Sequence, residues 1–130
     1  MTSTPGPDRI FPAIIRTARP HQWVKNVFVL SPLVFALQLT DTQSLLLAAL
    51  TTIAFCLASS AVYFFNDVRD RERDRRHPTK RNRPIAAGLL SPRAGLQISL
   101  GLALAAIALA TACSPWSGLI VGIYLLTNLY

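Results

Sequence analysis

Four of the six acidic residues of this 130-residue chain fall within Asn66–Arg83, NDVRDRERDRRHPTKRNR, together with most of its cations. On a helix turning about 100° per residue, Asp67, Asp70 and Asp74 lie within roughly 60° of one another, with Arg71 and Arg75 flanking that face. Three carboxylates on one side can hold a hard divalent cation through oxygen. Mg²⁺ keeps several waters and completes its shell with phosphate. Arg71 and Arg75, with Lys80, Arg81 and Arg83 beyond them, can neutralise the phosphate oxygens that the metal does not reach. The stretch therefore points to a metal-bound phosphate compound. The same spacing also suits a solvated helix laced with near-neighbour ion pairs. Asn66 fits a substrate contact and equally a helix end.

The elements that must position these residues are apolar. The chain is 52% hydrophobic yet carries a net charge of +7, and its charges are segregated into two blocks. Such segregation indicates an integral membrane protein with basic loops, an all-α transmembrane bundle. Residues 1–8 read as a disordered tail, and 9–130 as one membrane-embedded unit with a charged loop over 66–90. Arg9 to Lys25 alternates cations with Ile10, Phe11, Ile14 and Ile15, the pattern of an interfacial amphipathic helix anchored by Trp23 and broken at Pro20. An apolar run from Asn26 to Leu39 reaches spanning length if its helix begins near His21 and tolerates Pro32.

A second span covers Ser44 to Phe65, with Ala58, Ser59, Ser60 and Ala61 as a small-residue patch for close helix packing. Ser91-Pro92 reads as an N-cap followed by a first-turn proline, opening a third span over about 94–112. A fourth apolar helix starts near Ser117 and is incomplete at Tyr130. The 40–43 and 113–116 turns lack cations, so the N-terminus and the charged loop are expected in the cytoplasm. Cys56 and Cys113 are isolated in apolar surroundings and read as packing residues, and His21 and His77 are equally isolated. No secretory leader is discernible. The basic blocks adjoin apolar spans and lack interleaved aromatics, which favours a lipid bilayer over nucleic acid as partner.

NDVRDRERD has the form N-D-x-x-D-x-x-x-D and resembles the first aspartate-rich motif of the UbiA superfamily of intramembrane prenyltransferases, which likewise follows the second transmembrane helix. With the continuation RHPTKRNRPIAAG and the upstream RPHQWVKN, the chain resembles the decaprenyl-phosphate phosphoribosyltransferase branch from roughly Thr17 onward. The resemblance implies a plasma-membrane enzyme that transfers a phosphoribosyl group from 5-phosphoribosyl 1-diphosphate to decaprenyl (polyprenyl) phosphate, for cell-wall arabinan. It also implies that Asp67, Asp70 and Asp74 hold Mg²⁺ on the donor diphosphate, with Asn66 in support. Lys25 and Asn26 match the first-helix motif and would face a phosphate, although Lys25 reads equally as a snorkelling interfacial lysine. Lys80, Arg81 and Arg83 become candidates for the donor's phosphates. The superfamily fold is a larger bundle with a second polar motif, so three spans and part of a fourth imply a truncated fragment, inactive alone. The rival readings are a prenyltransferase acting on an aromatic acceptor and a non-catalytic membrane protein whose basic loop binds anionic lipid.

Overall fold

The structure is a computed structural model that describes residues 6–28 and 41–129. Every element among the described residues is helical: α1 (Pro7–Ala18), α2 (residues 23–28), α3 (Thr42–Arg69), α4 (Arg71–Arg75), α5 (Pro92–Cys113) and α6 (Pro115–Leu129). Of the tail expected over residues 1–8, residues 1–5 lie outside the described residues, while Pro7 and Asp8 already open α1. Most of the expected first span, including Pro32, also lies outside them.

Local chemistry sets the helix ends. Asp41 caps α3, its Oδ1 accepting from the Gln43 amide at 3.1 Å. Ser91 caps α5 as expected, its Oγ accepting from the Ala94 amide at 3.1 Å, with Pro92 in the first turn where no amide partner is missed. α1 ends at Arg19, which takes the left-handed conformation (φ 55°, ψ 60°), and Pro20 starts a single 3₁₀ turn. Two stretches, Leu45–Arg69 and Pro92–Cys113, are long and apolar enough to cross a membrane.

α3 is the central element. Its Ala54, Ala58, Ala61 and Val62 meet Ala103, Ala106 and Ala110 of α5 and Val121 and Leu125 of α6. The buried side of α5 is made of small residues, Gly95, Ser99, Ala103, Ala106 and Ala110, which let two backbones approach without large side chains between them. Ser99 reinforces the contact by donating its hydroxyl to the Ala61 carbonyl at 2.7 Å. The small-residue patch of α3 is thus a helix interface. Leu100, Leu104, Leu119, Ile123 and Leu126 face outward, an apolar surface suited to hydrocarbon.

A second apolar cluster lies at the charged end of α3. Phe64, Ile85 and Leu90 are buried together with Ile10 and Ile14 of α1, Val68, Ala94 and Ile98. The amphipathic helix therefore divides its apolar residues: Ile10 and Ile14 face the protein, whereas Phe11 and Ile15 are exposed. Gly95 permits this closure, because a Cβ there would stand 2.7 Å from Val68 Cγ2. The loop returns through Gly88, at φ 84°, a left-handed turn open to glycine.

The charged stretch itself departs from one expectation. The helix continuing from α3 is not straight: Asp70 leaves helical geometry at φ −91°, ψ 6°, between α3 and α4. The 66–90 segment is consequently a helix end, a short helix, a 3₁₀ turn at Lys80–Asn82 and a tight return, rather than an extended loop.

Candidate functional site

The kink at Asp70 gives the three aspartates different surroundings. Asp67 and Asp74 are almost wholly buried, 2% and 1% exposed. They converge on one cationic nitrogen: Arg83 Nη1 lies 3.5 Å from Asp67 Oδ1 and 3.1 Å from Asp74 Oδ2. Asp67 Oδ1 also accepts from Arg19 Nη2 at 2.7 Å. The result is an alternating row, Arg19–Asp67–Arg83–Asp74, in which two buried negative charges are matched by two guanidinium groups that keep a face toward solvent. Burying a carboxylate without a partner is costly, and this row meets that cost. Asp70 is apart from it. Its carboxylate is 20% exposed and bound by Arg73 Nη2 at 3.1 Å, with Arg69 Nε at 3.6 Å.

Arg19 is held from three sides. Its backbone sits in the left-handed region at the end of α1, its guanidinium pairs with Asp67, and that group lies 4.6 Å from the centroid of the Tyr63 ring. Below it, Ser60 donates to the Ala18 carbonyl at 2.7 Å and accepts from Trp23 Nε1 at 2.9 Å. Trp23, expected as an interfacial anchor, is thereby a tie to α3. One turn further along, Asn26 Nδ2 donates to Ser59 Oγ at 3.0 Å, and Tyr124 OH reaches the same oxygen at 3.5 Å. These polar ties fix the N-terminal segment against α3 at its buried serines.

The other expected residues take varied places. Arg71 Nε donates to the Ile85 carbonyl at 3.4 Å and Arg75 Nε to the Ala86 carbonyl at 3.0 Å, and both touch Glu72. They hold the returning loop rather than flank the acids. Lys80 and Arg81 are exposed on the 3₁₀ turn, where the His77 ring accepts from the Lys80 amide at 3.1 Å. Lys25 is exposed on α2. Asn26 spends its amide on Ser59. Asn66 Oδ1 is buried with no hydrogen-bond partner among the described residues, an oxygen lone pair awaiting one.

Among the described residues no three of Asp, Glu, His and Cys stand close enough to hold a metal ion between them. Two carboxylates nevertheless converge on the Arg83 guanidinium, with Arg19 also on the first of them, and an orphaned amide oxygen belongs to the residue before it in sequence. That donor set is hard oxygen throughout and fits a small divalent cation better than a soft one. Arg19 is not singled out by the sequence, because its partner lies 48 positions away.

The UbiA prenyltransferase family matches residues 27–130. A decaprenyl-phosphate phosphoribosyltransferase of Mycobacterium tuberculosis is 38% identical over 130 residues, covering 97% of this chain and 43% of that protein. The Corynebacterium glutamicum protein of the same name is 37% identical over 129 residues, covering 95% of this chain and 38% of its own length. Nodulation protein NoeC of Azorhizobium caulinodans is 39% identical over 93 residues, 71% of this chain and 30% of that protein. The chain thus spans less than half the length of these relatives.

Proposed function

The chain belongs to the UbiA prenyltransferase family, and from that premise we propose that it carries the donor-binding end of a phosphoribosyltransferase. The proposed reaction moves a 5-phosphoribosyl group from 5-phosphoribosyl 1-diphosphate to a polyprenyl phosphate such as decaprenyl phosphate. The product would serve cell-wall arabinan synthesis. The similarity to the two decaprenyl-phosphate phosphoribosyltransferases above supports this choice within the family. The observation that carries it is the buried pair Asp67 and Asp74, gathered around the Arg83 guanidinium at the end of a membrane-length helix. Ionisable groups at that depth are expensive and tend to be kept for chemistry.

In this reading Asp67 and Asp74 would hold Mg²⁺, with Asn66 Oδ1 in support, and Asp70, turned toward Arg69 and Arg73, would have to leave those partners to join them. An ion held by these residues would supply positive charge to the departing diphosphate. Arg83 and Arg19 stand beside the acids, where each can donate to diphosphate oxygens, and Lys80 and Arg81 offer exposed charge to the donor's 5-phosphate. Lys25 and Asn26 lie on the side from which the lipid phosphate would approach. An oxygen of the lipid phosphate forms the new bond to the ribosyl C1, the C1–O bond to diphosphate breaks, and the diphosphate leaves with that electron pair. The attacking oxygen is already anionic, so no side chain need remove a proton, which suits a site built without histidine or cysteine. The basic N-terminal segment and the 69–83 stretch are placed on the cytoplasmic side of the plasma membrane, toward the soluble donor.

The test offers the full-length protein both donors, 5-phosphoribosyl 1-diphosphate with polyprenyl phosphate, and a polyprenyl diphosphate with an aromatic acceptor. Diphosphate release with the first pair alone is expected. Release with the second pair alone would make the protein a prenyltransferase of the ordinary kind, and release with neither would leave a basic, lipid-facing membrane segment.

A further inference from the structure

We infer that Arg83 and Arg19 are place-holders: in the resting site they neutralise Asp67 and Asp74, and they transfer to the diphosphate when a divalent cation takes the carboxylates. The inference rests on the donor-site reading above and adds an order of coupling to it. One guanidinium nitrogen of Arg83 serves both buried acids, 3.5 Å and 3.1 Å away, and Arg19 Nη2 serves Asp67 at 2.7 Å. Both acids are nearly inaccessible, whereas the two arginine side chains are 23% and 30% exposed. The more exposed cations are therefore the members of the row that can move, Arg83 more freely than Arg19, whose backbone and ring contact constrain it.

Two buried carboxylates cannot be left bare. An anion arriving alone would draw the guanidinium groups off the acids and leave them unpaired. A cation arriving alone would free two guanidinium groups whose ion pairs are then lost. Only the two together leave every charge matched, carboxylates on the ion and guanidinium groups on phosphate oxygens. Metal and diphosphate must then favour each other's binding, and Arg83, which bridges both acids, carries most of that coupling. Arg19 assists from a constrained position, its backbone at φ 55° and its guanidinium beside the Tyr63 ring. By reciprocity the two ligands strengthen each other by the same factor.

The experiment measures Mn²⁺ binding by electron paramagnetic resonance to the full-length protein in detergent, with and without inorganic pyrophosphate, for the parent, Arg83→Gln and Arg83→Lys. In the parent, Mn²⁺ alone binds weakly, and pyrophosphate tightens it by roughly 5- to 150-fold beyond its binding to Mn²⁺ in solution. Arg83→Gln removes the competing cation, so Mn²⁺ alone binds several-fold more tightly and the effect of pyrophosphate shrinks. Arg83→Lys retains a charge at the acids and stays closer to the parent. A thermal melt of each protein, with and without Mn²⁺, checks folding: the metal should raise the melting temperature of Arg83→Gln more than that of the parent. A folded Arg83→Gln protein whose affinity for Mn²⁺ alone equals or falls below the parent's overturns the place-holder role. Absence of Mn²⁺ binding in all three proteins, with pyrophosphate present, overturns the donor-site reading beneath it.

Discussion

Arg19 concentrates several constraints in one residue. A left-handed backbone costs a non-glycine residue roughly 1–2 kcal/mol, and Arg19 adopts it at φ 55° while its side chain pairs with a buried acid. Arg19→Ala loses the ion pair and keeps the strain; Arg19→Gly loses the ion pair and relieves it. Both should melt below the parent in detergent, with the glycine variant the more stable by about 1 kcal/mol. An alanine variant as stable as the glycine one would show that the backbone there is unstrained. Asp67 and Asp74 stand two helical turns apart, so the spacing of charges in the sequence already aligned them. The spacing could not show that Asp70 turns out toward Arg69 and Arg73. A helical wheel assumes regular helical geometry throughout, and Asp70 departs from it.

At the scale of elements, the N-terminal segment is bound to α3 by a few polar ties. Ser60→Ala removes the partner of the Ala18 carbonyl and of Trp23 Nε1 together, with an expected loss of about 1–3 kcal/mol for groups left unsatisfied. In the 130-residue chain with Trp116→Phe, where Trp23 is then its sole tryptophan, the emission should shift on this substitution. Unchanged emission and stability would mean that α2 docks by other contacts. Within α5, Ala106 is fully buried against α3, so Ala106→Leu should destabilise by about 1–3 kcal/mol through overpacking, read as a lower melting temperature. The spans of α3 and α5 were plain from their uncharged length, and the Ser91-Pro92 cap from its residue types, because both are local signals. The contacts of α1 were not. Its alternation of cations and isoleucines fits a membrane surface and a protein groove equally, and Ile85 and Leu90, which fill the groove, come from a return loop some 70 residues later.

For the whole molecule, segregation of charge determines how the parts cooperate. Apolar helices carry a small-residue seam that draws α3 and α5 together, and α3 runs on from that seam to Asp67, which pairs with Arg19 and Arg83. The buried acids thus stand at the charged end of a membrane-length helix, which the proposed reaction would use to bring a soluble anion and a lipid phosphate together. The measurement that bears most directly on this account is equilibrium dialysis of labelled 5-phosphoribosyl 1-diphosphate against the full-length protein in detergent, with Mg²⁺ or with chelator, for the parent and for Asp74→Asn. The account predicts binding to the parent that requires Mg²⁺ and a loss of at least tenfold, about 1.4 kcal/mol, in the variant. Undiminished affinity in a folded Asp74→Asn protein, or binding to the parent that is the same in chelator, would contradict it.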